Sequence, residues 1–199
     1  MRKTVFVLAI LALAGLATAQ PLFITTTFAS NNGRSTAGST SMFDLTVLNP
    51  AGVKIVSLDV NISGSLTTVT LDVYTTPMTY VGKELTASPW TKVASGVGVA
   101  AARDTPTPVN ISDFSLAAGA HGIAIHYATS GNAYTNGTGT GPGGNQQYQN
   151  ADLKLDLGVA TAALFSSTLF NPRVWNGTIS VVSGVFDPST GRLGVYGEL

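Results

Sequence analysis

The stretch Val56-Ser57-Leu58-Asp59-Val60-Asn61-Ile62 decides the fold. Its apolar side chains recur at every second residue, with Ser57, Asp59 and Asn61 between them. That period belongs to a β-strand with one face buried and the other wet. Working outward, Phe43, Leu45 and Val47 alternate with Met42, Asp44 and Thr46, and Val69, Leu71 and Val73 alternate with Thr68, Thr70 and Asp72. Thr and Val, which suit a half-buried pleated surface, recur throughout. No stretch beyond residue 20 sustains helical spacing over three turns. The best helical candidate, 158–165, is short and lies close to Pro172.

Further strands are expected at 22–28, 91–99, 107–114, 120–128, 151–157 and 173–182. Turn residues separate them, among them Asn31-Asn32-Gly33, Asn49-Pro50-Ala51-Gly52 and Ser130-Gly131-Asn132. About nine short strands at this spacing predict an all-β, antiparallel β-sandwich that is jelly-roll-like. Three segments break the rhythm. Residues 77–89 read as a long loop, and 135–149, with its Gly-rich run at 137–144, as a mobile surface loop. The tail at 184–199 reads as a C-terminal extension or edge strand, leaving one domain over 20–183. No fixed-period repeat is visible, which argues against a solenoid or propeller.

Composition narrows the function. Among 199 residues there are 22 Gly, two His, no Cys, and ten Lys and Arg against ten Asp and Glu. Without Cys there are no disulfides, thiolate metal sites or Cys nucleophiles. So few basic residues cannot build a phosphate-neutralising face, so nucleic acid is not an expected partner. Residues 1–19 read as a signal peptide: Arg2 and Lys3, an apolar run over 5–16, and Ala17-Thr18-Ala19 before Gln20. The run is too short to span a bilayer, and no later segment supplies a membrane span. Cleavage would remove two positive charges and leave the chain slightly acidic. Export without Cys points to a bacterial protein, secreted to the extracellular space or the periplasm.

Few residues offer chemistry. His121 and His126 are five apart on an expected strand, so they face opposite ways and read as ordinary strand histidines. No nucleophile elbow, zinc-protease helix, P-loop or dinucleotide fingerprint occurs. Asp152 and Asp156 share a face with Lys154 between them, roughly 13 Å apart along a strand. That is wider than the carboxylate spacing of glycosidases, so the pair reads as a solvated face. Asp59 and Asp72 would adjoin if their strands formed a hairpin about Gly64. With Asn61 they would then offer oxygens to a Ca²⁺ ion; no other cofactor is expected. Tyr80, Trp90, Tyr134 and Tyr148 fall in loops or at strand ends and are the candidate ligand-binding residues, their flat faces suited to sugar rings. Trp175 shares a face with Ile179 and Val181 and is expected in the core.

Several elements recur together: Phe28-Ala29-Ser30-Asn31-Asn32-Gly33, Met42-Phe43-Asp44-Leu45, Tyr80-Val81-Gly82, Trp90-Thr91, Tyr134-Thr135-Asn136-Gly137 and Asn171-Pro172-Arg173-Val174-Trp175-Asn176-Gly177-Thr178-Ile179. In these the chain resembles a recurrent β-sandwich module of bacterial secreted proteins, of the kind found in planctomycetes and myxobacteria. The resemblance spans 22–182 and implies a β-sandwich with no catalytic residues to carry over. Physically the shared elements look structural: Phe43 and Trp175 fill the core, and Asp44, on the opposite face, is expected to bond the 31–33 loop. The expected function is therefore non-enzymatic: binding of a glycan or other cell-envelope component through end loops. The alternative is a structural or adhesive subunit of an extracellular surface assembly, with 22–28 or 181–199 as candidates for strand exchange. A carboxylate-dependent glycoside hydrolase is the least favoured reading.

Overall fold

The computed structural model describes residues 22–64, 67–139, 144–187 and 192–195. The signal read at 1–19 lies outside the described residues. Among them all regular structure is β, and no helix is long and apolar enough to cross a membrane. The strands are β1 (Leu22–Thr25), β2 (Asn32–Gly33), β3 (Thr40–Val47), β4 (Val53–Val60), β5 (Ile62–Ser63), β6 (Thr68–Pro77), β7 (Thr91–Val99), β8 (Thr107–Leu116), β9 (Gly119–Tyr127), β10 (Gly131–Asn136), β11 (Gln147–Gln149), β12 (Leu153–Ala163), β13 (Ser166–Phe170), β14 (Arg173–Trp175), β15 (Gly177–Asp187) and β16 (Arg192–Val195).

The main sheet runs β1-β15-β4-β8-β7-β6-β9-β3-β12-β11, with β13 beside β12 and β16 beside β15. A small sheet, β14-β10-β2, sits against it, and β5 pairs β10. The all-β antiparallel class is as the alternation predicts. The count of about nine strands is corrected to sixteen segments, and the main sheet is one continuous, nearly closed, barrel-like path. Two glycines let it turn. A Cβ on Gly96 would lie 2.3 Å from the Asn110 carbonyl oxygen, and one on Gly98 2.2 Å from that of Pro108. Only a residue without Cβ admits β8 so close to β7, as at a barrel corner. At the other extreme the edge strands β1 and β11 approach, and the Asn150 amide donates to the Phe23 carbonyl (3.1 Å).

Three segment assignments change. Residues 158–165, the best helical candidate, instead carry β12 onward to Ala163 past a bulge at Leu157/Val159. There β3 and β13 satisfy its backbone on both sides, which outweighs local helical spacing. The supposed loop 135–149 begins and ends in strands, β10 and β11. β15 passes the expected boundary at 183 and forms a hairpin with β16.

Alternate residues of β3, β4, β6, β9 and β12 build the interior. Phe43 and Trp175 stand at its centre as expected, stacked with ring centroids 5.2 Å apart. A second, smaller apolar cluster lies on the outer face of the same sheet: Met42, Tyr80, Trp90, Ala124, Val159 and Phe165. It exists because the 77–89 segment, free of strand structure beyond Pro77 as expected, folds back over β9, β3 and β12.

Asp44 anchors that fold-back. Its carboxylate accepts the Tyr80 backbone N–H (2.9 Å) and the Thr79 hydroxyl (2.8 Å). The expected bond to the 31–33 loop is replaced by this one, because β3 presents Asp44 to the outer face where Thr79 and Tyr80 lie. Burial raises the Asp44 carboxyl above its ordinary value near 3.8, against the pull of these donors. A carboxyl raised in the folded state contributes stability that is complete below its unfolded value and is lost as pH rises through the folded one. Asp44→Asn keeps an oxygen for the Tyr80 N–H and removes the charge. It is expected to flatten the fall in melting temperature as pH rises above about 4. An identical fall in wild type and variant would show that Asp44 is not its source.

Candidate functional site

Of the four aromatic residues expected as a ligand platform, three are buried. Tyr80 is buried, its ring set against Gly158 and its backbone against Gly122. Trp90 is buried too: it stacks on Phe165 (5.3 Å) and donates its indole N–H to the Lys83 carbonyl (2.9 Å). Tyr134 is buried opposite Trp175 in the small sheet, with the Arg173 guanidinium over its ring at 5.2 Å. Tyr148 is half-buried against the interior. The expectation of exposure is corrected for Tyr80, Trp90 and Tyr134. A glycine on a distant strand, and a tryptophan or phenylalanine far along the chain, made room for each ring or covered it.

The proposed cation ligands are not brought together. β4 and β6 are separated in the sheet by β8 and β7, which sets Asp59 and Asp72 three strand spacings apart, about 14 Å. Asp72 instead pairs with Lys92 (2.6 Å). Asn61 is fully buried and exchanges hydrogen bonds with Asp104: its amide donates to the carboxylate (3.0 Å), and its oxygen accepts the Asp104 N–H (2.9 Å). The Ser30 hydroxyl and backbone N–H also donate to that carboxylate, and the hydroxyl above all holds it below the usual range. These bonds clip the 28–33 segment to the loop before β8. Among the described residues, no three His, Asp or Glu side chains converge as a metal-binding group.

His126 and His121 do lie on opposite faces. His126 meets the Thr40 hydroxyl (3.2 Å) and is held below its ordinary value by burial. His121 meets the Ala117 carbonyl (2.9 Å). The carboxylate pair that does form crosses strands, where spacing along the chain cannot reveal it: Asp44 and Asp156 are register partners on β3 and β12. Asp156 is buried rather than solvated; it pairs with Lys154 (3.1 Å) and accepts from the Gln147 amide. Both carboxylates are occupied by donors that hold the fold.

An extended surface is formed by the outer face of β1, β15, β4, β8, β7 and β6. Directly opposed residues of antiparallel strands share a face, and one lateral row can be followed across all six: Phe23, Ser180, Ser57, Asn110, Val97 and Thr70. The row is about 24 Å long at the usual strand spacing and contains no charged residue. Phe23 is 66% exposed and Val97 59%, while Val99, two residues beyond Val97 on the same face of β7, is 77% exposed. Beside it Lys54 pairs with Asp113 (3.2 Å) and Lys92 with Asp72, and Asp59 stands next to the row, two residues from Ser57 on the same face of β4. Periodicity marks Ser57 and Thr70 as outward; that the six positions line up depends on the pairing of strands far apart in sequence. The chain matches no family model and no curated protein.

Proposed function

We propose that the protein is a non-enzymatic structural or adhesive subunit of an extracellular assembly, in which copies meet through the outer face of β1, β15, β4, β8, β7 and β6. The uncharged row from Phe23 to Thr70 carries this reading. An exposed antiparallel face ordinarily alternates charged residues outward. Here Ser, Thr, Asn and Val stand outward on a twisted but continuous surface, with Phe23, Val97 and Val99 projecting from it. Along this row such a face meets another copy of itself without opposed like charges. The export signal read at 1–19 and the resemblance to a bacterial secreted module support an assembly outside the cytoplasm. The first expectation, binding of a glycan or other envelope component, loses the support of Tyr80, Trp90 and Tyr134, which are buried.

Sedimentation of the purified protein across a concentration series tests the proposal. Wild type is expected to self-associate, and the double variant Val97→Lys, Val99→Lys to remain monomeric with an unchanged melting temperature. Surface substitutions of this kind usually move stability by no more than about 0.5 kcal/mol. A wild type that stays monomeric at the highest concentration, or a double variant that associates equally well, overturns it.

A further inference from the structure

On β1, β4, β6, β7, β8 and β15 as far as Val182, the charged residues are Lys54, Asp59, Asp72, Lys92 and Asp113. Four of them cancel, Lys54 against Asp113 (3.2 Å) and Lys92 against Asp72 (2.6 Å). Asp59 is left over. Its register partners are Thr178 on β15 and Pro108 on β8, and Thr25 on β1 lies beyond Thr178. This second lateral row runs beside the one through Ser57, so the carboxylate stands near the middle of the outer face. Among the described residues no ion pair or side-chain hydrogen bond reaches it, and it is half-buried. Neither neighbouring strand can neutralise it: β15 presents Thr178 and Ser180, and β8 presents Pro108 and Asn110, none of them ionisable. On β4 itself Lys54 is five residues away, about 17 Å, and is held by Asp113. Arg103 and Asp104, in the loop before β8, are bonded to Ser30, Asn32 and Asn61.

A lone carboxylate in this position opposes the contact that the rest of the face invites. A second copy strips water from Asp59 and supplies no cation in return, and an unpaired charge leaves water only at a large cost. A contact between two identical faces carries two such carboxylates. The neutral acid avoids the cost. Burial already holds the Asp59 carboxyl above its ordinary value near 3.8 in the single subunit, and further loss of water at the contact raises it again. Association therefore takes up protons. It is tightest below the value in the free subunit and weakens as pH rises through the value in the assembly. We propose that protonation of Asp59 controls self-association through this face, acid tightening the contact and neutral pH loosening it. This rests on the assembly reading given above and adds what regulates the contact.

Sedimentation equilibrium of the purified protein at pH 7, 6 and 5 tests it. The wild-type association constant is expected to rise by about tenfold or more from pH 7 to pH 5, since each proton taken up contributes as much as about tenfold per pH unit. Asp59→Asn keeps the size and polarity of the side chain and removes the charge. It is expected to associate at pH 7 as tightly as wild type does at pH 5, with little change between, and to melt at the wild-type temperature at pH 7. The Val97→Lys, Val99→Lys variant should stay monomeric at every pH. Equal wild-type association at pH 7 and pH 5, or a wild-type pH slope retained by Asp59→Asn, overturns control by Asp59 and leaves assembly through the face standing. Millimolar calcium chloride that tightens wild type at pH 7 as far as acid does would also overturn it, because a cation would then be the neutralising partner. A wild type that is monomeric at every pH overturns both.

Discussion

Trp175→Ala is expected to lower the stability of the protein by about 3–5 kcal/mol, the range for removing a large aromatic from a packed core. The indole is 2% exposed and stacked on Phe43, and its N–H donates to the Tyr127 hydroxyl (3.1 Å), itself fully buried. Gly177 packs beneath it so closely that a Cβ there would lie 2.3 Å from the indole ring. Truncation thus opens a cavity that β14 and β15 cannot close, and strands the Tyr127 hydroxyl without its donor. Trp175→Phe separates the two effects: it keeps most of the ring and loses the donor, for an expected cost of about 1–3 kcal/mol. Urea unfolding followed by circular dichroism measures both, as a lower midpoint at unchanged slope. Two variants of equal stability would mean that the hydrogen bond, and not the packed ring, carries the effect.

Gly158→Val should also be damaging, by about 3 kcal/mol, the upper end for overpacking, and for the opposite reason, since it fills space already taken. A Cβ at residue 158 would lie 2.5 Å from the Tyr80 ring and its hydroxyl oxygen and 2.6 Å from the Met42 carbonyl oxygen. The carbonyl belongs to a central strand and cannot yield, so the Tyr80 ring must leave. With it goes the button that holds residues 78–90 to the outer face, although Asp44 keeps its grip on the Tyr80 N–H. Trp90 stacks on Phe165 in the same cluster, so its emission should shift to the red, and protease should cut near Lys83 while the interior stays folded. An unshifted spectrum with wild-type protease resistance would show that Tyr80 is not what fastens this segment.

The two substitutions also mark what the sequence made legible. Phe43 and Trp175 were readable as core because strand faces follow from period two, and each sits among apolar neighbours of the same parity. Tyr80 was not. It follows Pro77 in a polar stretch, and its slot is cut by Gly122 and Gly158, one on β9 and the other on β12. Asp59 and Asp72 are apart for a related reason: strands consecutive in sequence are not neighbours in this sheet. The chain instead leaves the sheet at Asn61, where β5 turns aside to pair with β10, and β6 returns three strands away. Alternation states which way a side chain points and says nothing about who stands beside it. The lateral row from Phe23 to Thr70 and the pair Asp44–Asp156 are both products of register, and register is a property of partners.

The seam between β1 and β11 has a mechanical consequence. β1 is joined to β15 by four register pairs, and across the seam the Asn150 amide reaches its backbone. The barrel is therefore a clip rather than a welded ring. Tension applied at the amino-terminal end of the strand peels β1 from β15 one pair at a time, which needs far less force than shearing the long ladders of β3, β9 and β12. The interior, centred on Phe43 and Trp175, remains intact while the clip opens, and the strand can reseat when the load is released. A layer of such subunits would yield under strain at its seams and recover, without any of its members having to refold.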